Sequence, residues 1–280
     1  METVALRLLL GVALSAVVGA VGYWRQSLTP GGVAGAVIVG SLIFGLGGWI
    51  WGLLLITFFV SSSLLSHYRH RDKEAVAEKF AKGGRRDLGQ ALANGGMGAI
   101  LAIAYFASPE PMLLAAYLGV MATVNADTWA TELGVLSRVP PRLITNGAEV
   151  PTGTSGGVTS LGTWASVAGA LLIGAMATAL TQFGSLVGGR GWDARALAYP
   201  VLAVAGGMAG SLFDSLLGAT VQGIYYCDHC GKETESALHR CGHAARPLRG
   251  WLWLNNDLVN FIASIVGGIV AASLGWLFWR

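Results

Sequence analysis

The stretch NADTWATELG, Asn125 to Gly134, decides how the chain is read, because it closes an apolar run from Met112 with two carboxylates, Asp127 and Glu132. An acid in a hydrophobic span costs about 2.5–3.5 kcal/mol even on lenient insertion scales, so it is a functional-site candidate unless it merely reaches the headgroups. Two further stretches weigh against that simple escape: GSLFDSLLGATVQ around Asp214, and WLNNDLVNF around Asp257. Three apolar segments that each place an acid near one end suggest a shared site.

Working outward, the whole chain is suited to a bilayer. Of its 280 residues 54% are hydrophobic and only 12% charged, and 41 are glycine. Soluble domains carry about 25% charge and about 7% glycine, so the composition indicates an all-α polytopic bundle in which small residues let helices approach closely. A segment of roughly 20 residues crosses the hydrocarbon core. Eight candidates can be drawn: residues 4–21, 31–44, 49–65, 91–106, 112–133, 161–183, 196–222 and 254–279. The second is short and glycine-rich, either a tight helix or half of a re-entrant pair with the third. The first is apolar but has Glu2, a single early Arg7 and no convincing cleavage site, so it is expected to be a retained span and not a signal peptide. Residues 1–280 thus form one integral membrane domain.

Lys and Arg in short loops set orientation. If the basic loop 67–90 is cytoplasmic, alternation puts 14 of the 18 basic residues on that side and both termini outside. The polar residues at helix ends then also lie toward the cytoplasmic face, at one depth. This charge follows the loops, and nucleic acid is not an expected partner. A homodimer remains open.

On the seventh candidate helix Ser211, Asp214, Ser215, Gly218 and Gln222 recur at spacings of three and four, forming one small or polar stripe. The eighth opens with Asn255, Asn256 and Asp257, then Asn260. Caps account for one or two of these, and oxygen ligands at a helix start suit Mg2+, which takes one or two carboxylates plus substrate phosphates. Asp127 and Glu132, five residues apart, sit about 140° apart on a helix. Asp127 is therefore the expected metal ligand, with Glu132, Asn125 and Thr128 as neighbouring contacts. The loop 138–160 contains PTGTSGGVTSLGT. Its Thr152, Gly153, Thr154, Ser155, Gly156 and Gly157 run into the sixth helix and could present backbone N–H groups to phosphate, although no Lys follows the glycines as in a Walker motif. Arg86, Gln90 and Asn94 descend from the basic loop at intervals of four, with Arg85 beside them.

The loop 223–250 contains CDHCGKETESALHRCGH and all three cysteines of the chain. Cys227, Cys230, His239 and Cys241 make a plausible tetrahedral set for a structural Zn2+, with His229 and His243 competing for the fourth place. Such a closed site would pin a cytoplasmic loop that draws Asp214 toward Asp257.

Together, NADTWATELG, PTGTSGGVTSLGT, GSLFDSLLGATVQ and WLNNDLVNF resemble the multi-pass family that includes phytyl-phosphate kinase, from about Arg86 to the end of the last helix. More distantly the pattern is similar to CTP-using lipid enzymes, the dolichol and phytol kinases and phosphatidate cytidylyltransferase. Asp127-Thr128 matches their first element. The loop from Pro151 lacks their Lys and Glu, Ser211 stands where they have an acid, and the segment at Asn255 lacks their Arg. The resemblance implies Mg2+-dependent phosphoryl transfer from CTP, or a related nucleotide, to an isoprenoid monophosphate. Asp127, Asp214 and Asp257 would hold the metal, with membrane lipids as surroundings. Two alternatives stay open: a cytidylyltransferase making a CDP-lipid, and an ion-coupled transporter or lipid-binding scaffold.

Overall fold

The structure, a computed structural model, describes residues 4–69, Lys73 and residues 84–279. Most of the basic loop 67–90 lies outside the described residues, including Arg71, Lys79 and Lys82, as does Arg280. Among the described residues, eight helices make up the bundle. They are α1 (Val4–Trp24), α2 (Pro30–Leu42), α3 (Trp49–His67), α4 (Leu88–Ala107), α5 (Pro111–Gly134), α6 (Ser160–Val187), α7 (Tyr199–Thr220) and α8 (Asn256–Trp279).

Local chemistry sets the boundaries. Pro30 and Pro111 sit in the first turns of α2 and α5, where a missing N–H costs nothing. Thr29 caps α2 by accepting from Gly32 N, and Thr159 caps α6 by accepting from Gly162 N. Asp87 and Gln90 make a reciprocal capping box at the start of α4. The second crossing is a full one and not a re-entrant pair: α2 continues through a π-helical turn, Ile43–Gly47, and breaks at Gly48 (φ +93°), from which α3 starts back.

Seven helical segments among the described residues are long and apolar enough to cross a membrane. The eighth, α5, is less apolar because it carries Asn125, Asp127 and Glu132, yet every residue from Tyr117 to Ala126 is buried. It is the axis of the bundle, packed on α3, α4, α6, α7 and α8, while α1 and α2 form an outer pair that leans on α4. Large apolar side chains such as Leu9, Leu64, Trp164, Phe183 and Leu277 point outward, as they should in a bundle solvated by lipid.

Glycines let α5, α7 and α8 meet almost backbone to backbone. A methyl on Gly206 would lie 2.6 Å from Gly267 O and 2.9 Å from Gly119 Cα. One on Gly267 would overlap Thr123 Oγ1. The Thr123 hydroxyl donates to Gly119 O (2.8 Å) and reaches Gly206 O at 3.3 Å. Where the helices end, short strands tie the loops. β1 (Arg142–Leu143) pairs with β2 (Gly157–Val158), and β3 (Ile224–Cys227) pairs with both β4 (Lys232–Thr234) and β5 (Arg246–Arg249).

Overpacking a tight seam costs about 1–3 kcal/mol or more. Gly267→Val should therefore lower the thermal midpoint and the monodisperse yield of detergent-solubilised protein. Gly84→Ala, which would meet nothing within 4 Å, should leave both unchanged.

Candidate functional site

At the end of the bundle where α3, α5 and α7 finish and α4, α6 and α8 begin, the helices splay around a cavity of about 480 Å³. Its walls unite segments far apart in sequence. Asp127, Thr128 and Glu132 come from α5, Ser211 and Asp214 from α7, and Asn256, Asp257 and Asn260 from α8. Arg86 precedes α4 and Asn94 lies within it, and Thr152 to Gly157 close the rim. Asn125 is the exception, and the expectation that it faces a ligand is corrected. It is fully buried away from the cavity, its Oδ1 accepting from Ser61 (3.0 Å) and its Nδ2 donating to Gly169 O (2.7 Å), so both ends of the amide staple α5 to α3 and α6.

The glycine-hydroxyl loop is held against the end of α7. Gly156 (φ +83°) approaches so closely that a side chain would strike Ala219. Ser155 Oγ donates to Gln222 Oε1 (2.9 Å), and Arg249 of β5 donates to Gly218 O (2.9 Å). Gln222 passes the contact on, its Nε2 donating to Glu235 Oε1 (3.0 Å). Through that chain the cysteine loop delivers a fifth acid, Glu235, into the cavity wall. Nothing in the local sequence distinguishes Glu235 from Glu233. Only the turn after β4 decides which of them reaches the helices.

The acids differ in how their charge is met. Asp127 and Asp214 lie close enough to repel each other, and Glu235 adds to the repulsion on both. Among the described residues, Asp214 Oδ2 is buried without a hydrogen-bond partner. Like charges this close are relieved by a shared proton or by a cation, so this donor set could hold a divalent ion. It is an open arrangement: among the described residues, only cysteine and histidine sets have three or more ligand atoms within 4.8 Å of one another. Mg2+ tolerates that openness because it keeps several waters and takes further oxygens from substrate phosphate.

Glu132 is placed differently. It pairs with the buried Lys73 (2.6 Å) and accepts from Ser66 Oγ (2.5 Å), joining α5 to the end of α3. Arg86 sits near this pair, donating to Ser63 Oγ (3.0 Å) and lying over Phe58 and Phe59. Burial lowers its pKa from the ordinary value and the charge of Glu132 raises it. Arg85 faces elsewhere, its guanidinium bound to Leu28 O at 2.6 Å.

Outside the helices, Cys227, Cys230, His239 and Cys241 converge on a set that could hold a metal ion. Cys227 Sγ and Cys241 Sγ are 3.7 Å apart. That is far too long for a disulfide but matches the edge, about 3.8 Å, of a tetrahedron with metal–sulfur bonds of about 2.3 Å. His239 Nδ1 lies 3.0 Å from Cys241 Sγ and holds that thiol down to about 5, a thiolate ready for a metal. The competing His229 and His243 stack on each other at 4.0 Å on the exposed side and form a second set with Cys241, His229 also lying 3.7 Å from Cys230 Sγ.

Comparison with known proteins covers nearly the whole chain. Residues 13–268 match the family described as integral membrane protein DUF92. The chain is 32% identical to Protein PGR of Arabidopsis thaliana over 93% of both chains. It is 34% identical to an uncharacterized membrane protein of Methanocaldococcus jannaschii, over 96% of this chain and 94% of that one. To the chloroplastic Protein VTE6 of Arabidopsis thaliana it is 26% identical, over 87% of this chain and 64% of the relative. No solved structure matches it.

Elemental analysis of purified protein should find one divalent metal held by the cysteine loop. Cys227→Ala and His239→Ala should each lose it and melt earlier, whereas His229→Ala should keep it.

Proposed function

The chain belongs to the integral membrane protein family DUF92, and from that premise we propose that it transfers a phosphoryl group from CTP, or a related nucleotide, to an isoprenoid monophosphate, giving the diphosphate. The observation that carries this reading is the meeting of Asp127, Asp214 and Asp257, from three helices, with the Thr152 to Gly157 loop and Arg86 around one cavity. Acids paired with phosphate-type donors suit a magnesium–nucleotide complex better than an apolar solute. The motif resemblance to phytyl-phosphate kinase and to CTP-using lipid enzymes points the same way. The cytoplasm is the expected side of this cavity, because the basic loops gather there.

Asp127, Asp214 and Glu235 would hold Mg2+ on the α5–α7 side and Asp257 on the α8 side, where the ion would neutralise donor phosphate charge. The chain's own groups do the rest. The backbone of the Gly153 to Gly157 turn and the hydroxyl of Thr152 orient the nucleotide phosphates, Ser155 fixes that turn through Gln222, and Asn256 and Asn260 offer amides beside them. Arg86 holds the acceptor phosphate, and Lys73 keeps Glu132 neutralised at the wall behind it. In the reaction an acceptor phosphate oxygen forms the new P–O bond as the bond from the donor's terminal phosphorus to its bridging oxygen breaks, and CDP leaves. The acceptor is already an anion, so positioning and charge neutralisation supply most of the catalysis and no strong base is needed. The metal of the cysteine loop is read as structural Zn2+, since four protein ligands leave no open position.

With Mg2+, CTP labelled at the terminal phosphorus and phytyl monophosphate, the label should enter the lipid. Asp127→Asn and Asp214→Asn should each reduce transfer at least 100-fold while the protein stays folded in detergent. Label entering from the alpha phosphorus would instead make the protein a cytidylyltransferase, and full activity in both variants would overturn the metal assignment.

A further inference from the structure

A second crevice shares a wall with the polar cavity. It runs between α1, α2, α3 and α4, is almost wholly apolar, and is lined by side chains such as Leu14, Val18, Ala36, Leu55, Ile56 and Phe59. Arg86, Gln90 and Asn94 line both spaces. They stand at intervals of four, the first just before α4 and the others on it, so they form one polar strip between a charged chamber and an oily one.

Arg86 is the pivot of that strip. Its backbone is fixed on both sides, with N donating to Ser27 O (2.9 Å) and O accepting from Thr29 N (3.0 Å), so it cannot swing away from the α1–α2 turn. Among the described residues its guanidinium donates only to Ser63 Oγ, and its face rests on Phe58 and Phe59. A guanidinium with donors to spare is a site for a phosphate oxygen. The phenyl rings beneath it begin the apolar crevice. The halves of an amphiphile that joins an anionic head to a hydrocarbon tail thus match the two sides of one arginine.

We propose that the crevice between α1 and α4 holds the hydrocarbon tail of the lipid phosphate, with Arg86 gripping its head at the junction. This rests on the proposed acceptor chemistry. It also gives the outer pair α1–α2 a purpose, since neither helix contributes to the acid cavity. The tail lies on the α4 side of the axial helix α5, and the acids lie on its α7–α8 side. The head alone crosses to meet the nucleotide. Chain length is then read by the depth of the crevice, where Phe44 closes on Gly52.

The test needs no nucleotide. Purified full-length protein is irradiated with a prenyl monophosphate carrying a diazirine at the tail end, and labelled peptides are identified. Labels should fall on α1 to α4, be competed by unlabelled prenyl monophosphate, and drop at least fivefold in Arg86→Gln. Ala36→Phe, which fills the crevice away from the acids, should cut labelling by a long-chain probe at least fivefold and spare a short-chain one. Thermal melting confirms that each variant is folded. Labels on α5 to α8, labelling matched by a photoreactive phosphatidylcholine, or labelling by the long probe that Ala36→Phe leaves unchanged would each overturn the proposal. Competed labels on α1 to α4 without any phosphoryl transfer would sink the kinase reading and leave the tail site standing. Transfer with labels elsewhere would do the reverse.

Discussion

The bundle depends on one close approach, the junction of Gly119, Gly206 and Gly267 under the Thr123 hydroxyl. With no hydrophobic force between helices in lipid, tight van der Waals contact and interhelical hydrogen bonds must supply the attraction. Gly119 and Gly206 each stand eight residues before an acid, Asp127 and Asp214, which is about 12 Å along a helix. The contact that locks α5 to α7 therefore also sets both carboxylates at one depth. α8 joins the same junction through Gly267 and brings Asp257 to the same cavity.

Placing acids in register on neighbouring helices creates a repulsion that packing must withstand. The molecule meets it unevenly. Glu132 is paired with Lys73 and becomes part of the wall, while Asp127, Asp214 and Glu235 face one another and leave Asp214 Oδ2 buried without a partner among the described residues. A satisfied pair and a carboxylate oxygen without one lie on the same rim. A cation bound there would stabilise most, because a buried charge left alone costs several kcal/mol.

The cysteine loop is joined to this arrangement by a short chain of polar contacts. Arg249 and Gln222 fasten it to the end of α7 and to Ser155, and Glu235 projects from it into the cavity. A metal held by Cys227, Cys230, His239 and Cys241 would then stiffen both the Thr152 to Gly157 turn and Glu235, though it lies outside the helices. The same short strands that pair β3 with β4 and β5 keep the loop from drifting over the lipid surface.

The number of helices, their approximate ends and the residues worth watching are written in the sequence, because apolar length, caps and the rarity of acids in hydrocarbon are local properties. Asp127, Asp214 and Asp257 stood out for that reason, and all three line the cavity. Side-chain partners are not local. Asn125 shares its motif with Asp127 but is turned into the packing of α3 and α6, and Glu132 is engaged by Lys73, 59 residues away in the chain. Glu235 reads like any loop acid until β4 and Gln222 direct it inward. The sequence alone determined that polar groups gather at one end of a membrane bundle. Which of them face one another was decided by glycine-to-glycine contact between helices, a distance that no single segment encodes.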